Sequence, residues 1–456
     1  MNSDILIKYN KPGPRYTSYP PATFFNEKFT SDDFRKSLIA SNEEQKDNIS
    51  LYVHIPFCPR LCYFCGCNTS HFQSKEFVER YIDAVIKEIN SVSAYIDKKR
   101  KVTQIHWGGG TPNSIPLNLV EKVMNAFKSE FILAEKVEIA MECNPAYLDF
   151  EHIDKLANMS FNRLSLGIQD FDINVLNIIN RSSSKHPVGE LVKYMKDSGF
   201  DGVNIDLIYG LPGQTEKSFI NTIERTIDIS PDRIVTFSYA HVPWFKSAQK
   251  ILEKSGLPSA EEKLSLFFIA LNTLTQKGYI QIGMDHYAKP GDDLSVALNN
   301  KMLHRNFQGY CTKKTTGQVY GFGATSISQL NGAYTQNIKN ITKYVETIEK
   351  SEFAVERGYN LSDIDKIRRD VIDEIMCNGY LNMPAMASEH SVSLGELKNI
   401  VDYSPEKLQS FIDDDLLTLN NDILQLKPLG FLVVRNIAMA FDPLLKDTNA
   451  HYSKTV

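Results

Sequence analysis

From position 50 to 242 the chain alternates short β-branched runs with longer stretches of helical period, and this alternation limits the fold more than any other feature. The runs are SLYVHIP (50–56), VTQIHWG (102–108), VEIAMEC (137–143), RLSLGIQ (163–169), VNIDLIYG (203–210) and RIVTFSYAHV (233–242). Between the first two, Phe77, Tyr81, Val85 and Ile89 recur at i, i+4 with Val78, Ile82 and Ile86 beside them, which predicts a helix over 75–95. Thr215 is placed to cap another over 215–229, with Phe219, Ile220, Ile223 and Ile227 as its buried face. Strands alternating with helices pair in parallel, so an α/β fold is expected, with ligands at the C-terminal ends of the strands. Periodicity alone leaves a partial barrel and an open sheet both standing.

The flanks read differently. Residues 1–45 form an arm in which KPGPRYTSYPPATFF should be extended, since proline and glycine punctuate it. Its aromatic rings imply that it packs on something, as a cover or as a lid. A helix is predicted over 260–278, then a polar, glycine-rich section over 283–330. Residues 356–456 suggest a small helical, winged-helix-like domain after a central unit of 46–355. There Ser362 and Asp365 fit a capping box ahead of Ile364, Ile367, Val371 and Ile375, and Leu416–Leu419 and Ile423–Leu426 flank a hairpin turn.

Composition narrows the function classes. Of 456 residues 42% are hydrophobic and 23% charged, and the net charge is −5. Nothing global attracts nucleic acid or an anionic membrane, so an anionic substrate needs a local cluster of cations. No run approaches the roughly 18 apolar residues of a membrane span, and GFLVVRNIAMAF carries Arg435 in its middle. MNSDILIKYNK lacks the basic and apolar regions of a signal peptide, so a cytoplasmic setting with reduced thiols is expected.

Four of the seven cysteines fall within ten residues, Cys58, Cys62, Cys65 and Cys67. The string YVHIPFCPRLCYFCGCNTS spaces them C-x3-C-x2-C-x-C directly after the first strand. Three thiolates at this spacing suit a cubane iron–sulfur cluster held from one loop. The fourth iron then stays open to chelate the amino and carboxylate groups of a methionine moiety. The alternative is structural zinc on all four thiols, but zinc ribbons divide their ligands into two separated C-x2-C pairs and no second pair exists here.

The same string, with RYTSYP (15–20), HWGGGTP (106–112), RLSLGIQDF (163–171), NIDLIYGLP (204–212), GMDHYAKP (283–290), HRNFQGY (304–310) and FLVVRNIAMAFD (431–442), resembles the oxygen-independent coproporphyrinogen III oxidases of the radical S-adenosylmethionine (SAM) superfamily. The resemblance implies a curved (β/α)6 partial barrel with an N-terminal arm and a C-terminal helical domain. It implies a monomer that uses a [4Fe-4S] cluster and two SAM molecules to convert two propionates of coproporphyrinogen III to vinyl groups. The electron would come from a flavodoxin or ferredoxin. A haem-binding chaperone and an anaerobic haem-degrading radical SAM methyltransferase are the competing relatives.

By the same resemblance Cys58, Cys62 and Cys65 hold the cluster. Tyr52, Gly109, Glu142 and Ile327 would meet the first SAM, and Phe64, Gly110, Thr111, Gln169, Arg181, Asp206 and Ala240 the second. Tyr52, His54, Cys67, Glu142 and Gln308 are candidates for the chemistry, and Arg15, Arg305 and Phe307 for the substrate, with Arg60, Lys313 and Lys314 as further cations. Taken singly these residues have plainer readings: Gly108–Thr111 as a tight turn, His54 as a bonded core histidine, Arg181 as a solvated surface residue. Where the family pattern is Glu-Val-Asp-Pro, this chain has Glu142-Cys143-Asn144-Pro145, which puts any role for the Asp position in doubt.

Overall fold

All six β-branched runs become strands, and they pair side by side in chain order. The computed structural model describes residues 3–44, 48–313 and 315–447. It places the first to sixth strands at Ile49–Ile55, Lys101–Gly109, Ile132–Cys143, Arg163–Gln169, Gly202–Tyr209 and Arg233–Ser238. Every neighbouring pair is parallel. The sheet extends beyond them at both edges. Gln318–Phe322 runs parallel to the first strand, followed antiparallel by Ile327–Gln329, Ala333–Asn337 and Val355–Asn360. His286–Ala288 and Ile280–Ile282 extend the other edge antiparallel. Among the described residues this is one twelve-stranded sheet whose edges do not pair with each other, so the wall stays open. Strands of three to six residues carry little period, which is why 283–330 read only as polar. The last edge strand carries the sheet past position 355, to Asn360.

The helices follow the apolar period. Lys75–Ser93 buries Val78, Tyr81, Ile82, Val85 and Ile89, while Phe77 and Ile86 are half-buried. Each fully buried large apolar side chain contributes about 2 kcal/mol, so packing and not propensity holds the helix. Glu216–Ile229 opens with a capping box between Thr215 and Ser218. Its buried stripe is Phe219, Thr222, Ile223 and Thr226, rotated from the expected one because Thr222 Oγ1 donates to the buried Asp170 at 2.6 Å. Ala260–Gln276 forms as expected.

The arm holds two helices that its sequence did not announce, Ser3–Tyr9 and Ser31–Glu44. The stretch between them is extended and fixed to the far end of the chain. Tyr16 and Tyr19 Oη each donate to Asp442 at 2.8 Å, and Arg435 donates to the carbonyls of Pro14, at 3.0 Å, and Gly13. Thus RYTSYP and FLVVRNIAMAFD are two sides of one contact. The C-terminal region carries the capped helix Asp363–Asn378, four shorter α-helices among the described residues and the predicted hairpin, whose Asn421 and Asp422 take left-handed φ of 52° and 60° in a tight turn. No described helix is long and apolar enough to cross a membrane.

A buried carboxyl anchors the helix under the first strand. Glu88 accepts from Gly323 N–H (2.8 Å), Tyr344 Oη (2.6 Å) and Asn337 Nδ2 (2.6 Å). Tyr81 Oη, a neighbour on the same helix, donates to the His54 carbonyl at 2.7 Å, where the cysteine loop begins. Burial outweighs the three donors and pushes the Glu88 carboxyl from 4.5 up to about 7. The folded chain therefore holds an extra proton between those values, and the linked stability, complete below pH 4.5, is lost as pH rises through about 7. Relative to Glu88→Gln, the wild type is expected to lose roughly 3 kcal/mol between about pH 5 and pH 8, as measured by urea unfolding at both pH values.

Candidate active site

The concave face of the sheet walls a cavity of about 400 Å3. Its lining follows the strand period: Gln104 and His106; Glu138, Ala140 and Glu142; Arg163, Ser165, Gly167 and Gln169; Asn204, Asp206 and Ile208; Arg233, Val235 and Phe237. Every second residue of five consecutive strands faces inward, and Met141 and Cys143 join the lining where the third strand ends. That alternation of polar residues is visible in the sequence, and the quoted motifs contain His106, Arg163, Ser165 and Asn204, yet none of the four is among the expected site residues. His286 and Tyr310, from GMDHYAKP and HRNFQGY, close one end.

The cysteine loop seals the other end. The carbonyls of Ile55 and Phe57 accept from Gly110 and Thr111 N–H at 2.7 and 2.9 Å. A Cβ on Gly110 would fall 2.8 Å from the Phe57 carbonyl, and Gly109, at φ +109°, would drive one to 2.6 Å from the His54 ring. The glycine run exists for this approach. Its amides, expected to meet a ligand, are spent on the protein: Gly110 and Thr111 hold the loop, and Gly109 N–H donates to Glu142 Oε2 at 3.3 Å. Cys58, Cys62, Cys65 and Cys67 all face the cavity. Thr111 Oγ1 donates to Cys58 Sγ at 3.4 Å and Arg181 Nη1 to Cys62 Sγ at 3.6 Å. Burial raises the Cys58 thiol to about 11 and raises Cys62 as well. A hydrogen bond from the Cys67 thiol holds Cys65 low, and the proton stays on Cys67.

The remaining expected residues divide into those at the wall and those behind it. Glu142 receives His106 Nε2 at 3.1 Å. Asp206 accepts from Ser165 Oγ (2.8 Å) and Asn204 Nδ2 (2.7 Å), and burial raises its carboxyl to about 6. Arg181 donates to the Gly167 carbonyl, while its Nε is buried with no partner among the described residues. Phe64, Gln169, Gln308 and Arg60 line the cavity. Asn144 lines it too, and its side chain accepts from Ala146 N–H at 3.1 Å, a turn that asparagine closes as well as aspartate.

Tyr52 and His54 stand one layer back. His54 Nε2 lies 3.0 Å from the Asn68 carbonyl, so Nε2 carries the proton and Nδ1 accepts from Tyr52 Oη at 3.1 Å. Burial lowers the His54 pKa and keeps the ring neutral. Ala240 shares Gln249 Nε2 with Phe64, each through its carbonyl. Ile327 and Phe307 do not reach the cavity and pack with Phe25, Tyr334 and Leu361. Of the expected cations, Arg305 and Arg15 meet, with Arg305 Nη1 donating to the Arg15 carbonyl at 2.7 Å. Lys313 turns instead to Glu374, at 3.0 Å, in a second cavity, and Lys314 lies outside the described residues.

A parallel sheet curved around a polar cavity, with a C-x3-C-x2-C loop at the C-terminal end of its first strand, defines a radical SAM enzyme. The family model of the radical SAM superfamily matches residues 52–226. Oxygen-independent coproporphyrinogen III oxidases from Synechocystis sp. and Escherichia coli are 43% and 38% identical, across 98% and 97% of this chain and 96% and 95% of theirs. The solved structure of coproporphyrinogen III oxidase (HemN) from Escherichia coli, described as a radical SAM enzyme, superposes with a TM-score of 0.89 at 37% identity, covering 96% of this chain and 98% of that one. The chain belongs to the oxygen-independent coproporphyrinogen III oxidase family.

The residues present fit the [4Fe-4S] cluster and SAM of this class. Among the described residues no three His, Cys, Asp or Glu side chains converge as a single ion requires. Three thiols spread around one end of a cavity suit a polynuclear centre instead. The partnerless Arg181 Nε and Asn204 Oδ1 are a donor and an acceptor at that same cavity.

A charged floor supports it. Arg163 Nε meets Glu138 at 2.9 Å, Gln104 Nε2 donates to Glu138 at 2.8 Å, and Arg233 Nε meets Asp292 at 2.9 Å. Burial raises the Glu138 pKa, but Arg163 and Arg233 outweigh it and pull the carboxyl down to about 2. Its contribution is present above pH 4.5 and lost as pH falls towards 2. Glu138→Gln leaves buried guanidinium charge uncompensated and is expected to cost about 3 kcal/mol, read by urea unfolding at neutral pH.

Proposed function

We propose that this chain oxidises coproporphyrinogen III to protoporphyrinogen IX without oxygen, turning two propionate side chains into vinyl groups with loss of carbon dioxide. The observation that carries the reading is the set of three thiols on one cavity wall in a chain alike to such oxidases over nearly its whole length. Relatives carrying the oxidase name at full length support it over a haem-binding chaperone or a haem-degrading methyltransferase.

In this reading Cys58, Cys62 and Cys65 hold the cluster, and Cys67 stays a protonated neighbour. When bound, the cluster and SAM supply a one-electron cleavage of a carbon–sulfur bond that begins the oxidation of a propionate. The protein's own part is placement. Glu142, held by His106 and Gly109, takes the ammonium or ribose hydroxyls of the first SAM. Arg181, with its spare Nε, takes the carboxylate of the second, and Asp206 its ribose hydroxyls. Gly109, Gly110, Thr111, Phe64 and Gln169 shape the walls, and Tyr52, His54, Ala240 and Ile327 support them from behind. Gln308 faces the reacting end. Exposure of Cys67 and Arg60 beside the thiols supports entry of the electron there, from a small carrier such as a flavodoxin or ferredoxin. The reading also takes the enzyme as a cytoplasmic monomer whose catalytic unit begins at residue 46 and runs past the expected 355 to the end of the last edge strand at Asn360.

Anaerobic incubation of the reconstituted chain with SAM, dithionite and coproporphyrinogen III should yield protoporphyrinogen IX. Tight haem binding with no turnover would overturn the reading. Replacing Cys58, Cys62 or Cys65 by Ala should abolish bound iron and sulfide, whereas Cys67→Ala should retain them, by metal and sulfide analysis. KM for SAM should rise as pH falls through about 6, where Asp206 takes a proton. Asp206→Asn should show the raised KM at every pH.

A further inference from the structure

The two most exposed large apolar side chains among the described residues are neighbours, Trp244 at 75% and Phe245 at 69%. Paired rings left in water mark a contact surface, and tryptophan is the side chain that most often anchors one. The turn that carries them is tied down. Phe245 and Lys246 N–H both donate to the Val242 carbonyl at 2.9 Å, and Val242 N–H donates to the side chain of the buried Gln249 at 2.6 Å. Gln249 Nε2 in turn donates to the Phe64 carbonyl at 2.9 Å, and Lys246 Nζ donates to the Cys67 carbonyl at 2.6 Å. Both acceptors belong to the cysteine loop. Beneath the turn, Leu252 is fully buried in a small core against which Tyr63 and Phe64 pack. The ring pair is therefore fixed beside the thiols, and slack chain does not explain its exposure.

Cations accompany the rings. Lys250 and Lys254 are exposed, four residues apart on the same segment, and Arg60 is exposed on the cysteine loop. From Cys58 to Ser74 no acidic residue occurs. From Val242 to Ala260 the one acid is Glu253, and it meets His241 at 3.0 Å. In a chain of net charge −5, these two segments set Arg60, Lys246, Lys250 and Lys254 against a single carboxylate that is already paired.

We propose that Trp244, Phe245, Lys250 and Lys254 form the docking surface for a small acidic protein that carries its electron on a flavin. The proposal rests on the functional reading above and gives its electron a point of entry. A flavin passes an electron through the exposed apolar edge of its ring. An apolar edge bordered by carboxylates is complementary to two aromatic rings bordered by lysines. A local positive field on an acidic chain also steers such a partner to this face and away from the rest of the surface. The step balances: the fully reduced flavin gives up one electron and keeps its proton, the cluster takes that electron, and no bond forms or breaks.

The test uses the full cluster-loaded chain with a flavodoxin, and two variants, Trp244→Ala and the double variant Lys250→Glu, Lys254→Glu. All three side chains are exposed, so both variants should fold and hold as much iron as the wild type. Calorimetric titration should show flavodoxin bound about tenfold more weakly by each. Added salt should weaken binding to the wild type and act much less on the double variant. The rate at which reduced flavodoxin bleaches the visible absorbance of the cluster should fall in step with affinity, while turnover driven by dithionite stays at the wild-type level. Wild-type affinity for flavodoxin in both variants would overturn the docking surface. So would a wild type that a ferredoxin reduces and a flavodoxin does not, or variants that lose dithionite-driven turnover. A wild type that binds flavodoxin and is reduced by it, yet leaves coproporphyrinogen III unchanged, would overturn the functional reading and leave the docking surface standing.

Discussion

The main-chain ladder between the end of the first strand and the glycine run after the second is the contact on which the site depends. Ile55 and Phe57 carbonyls meet Gly110 and Thr111 amides at hydrogen-bond distance, and the backbones approach so closely that no Cβ fits between them. That ladder continues the parallel pairing of the two strands one step beyond the sheet. It turns the chain so that Cys58, Cys62 and Cys65 leave the strand facing the cavity and not the solvent. Thr111 then reaches Cys58 and Arg181 reaches Cys62, so each thiol is met by a donor that favours its anionic form.

The same sheet supports two different interiors. Its helix-covered face is apolar and supplies the folding energy. Its concave face carries charge: Glu138, Arg163 and Arg233 at the floor, Glu142 and Asp206 higher up. Such a face costs stability unless each group is paired, and the floor groups are paired. Higher up the pairing thins. Asp206 is buried with only neutral donors, and Arg181 keeps a spare N–H. Arg163 Nη1 at the floor is also buried with no hydrogen-bond partner among the described residues, so unsatisfied groups occur at both levels of this face.

Away from the sheet, the arm meets the segment that carries Arg435 and Asp442. Asp442 receives two tyrosines of the arm, and Arg435 holds its carbonyls. The arm is not a loose tail, since its side chains and its main chain are both bound there.

Six strands, the helices over 75–95 and 215–229, the hairpin at Asn421–Asp422 and the thiol loop were legible in the residues themselves. Each depends on local chemistry: side-chain period, a cap, a turn conformation, a spacing of thiols. The edge strands, the helices of the arm and the rotated stripe of Glu216–Ile229 were not, because short elements carry too little period and a buried hydrogen bond such as Thr222 to Asp170 has no signature in sequence. Within the site, the residues near strand ends were named from motifs, and the tertiary structure decided which face the cavity. It set Tyr52, His54 and Ile327 behind the wall, spent the glycine amides on the protein, and parted Lys313 from Arg15 and Arg305. Those outcomes depend on contacts between segments hundreds of residues apart, whose distances in space no local pattern encodes.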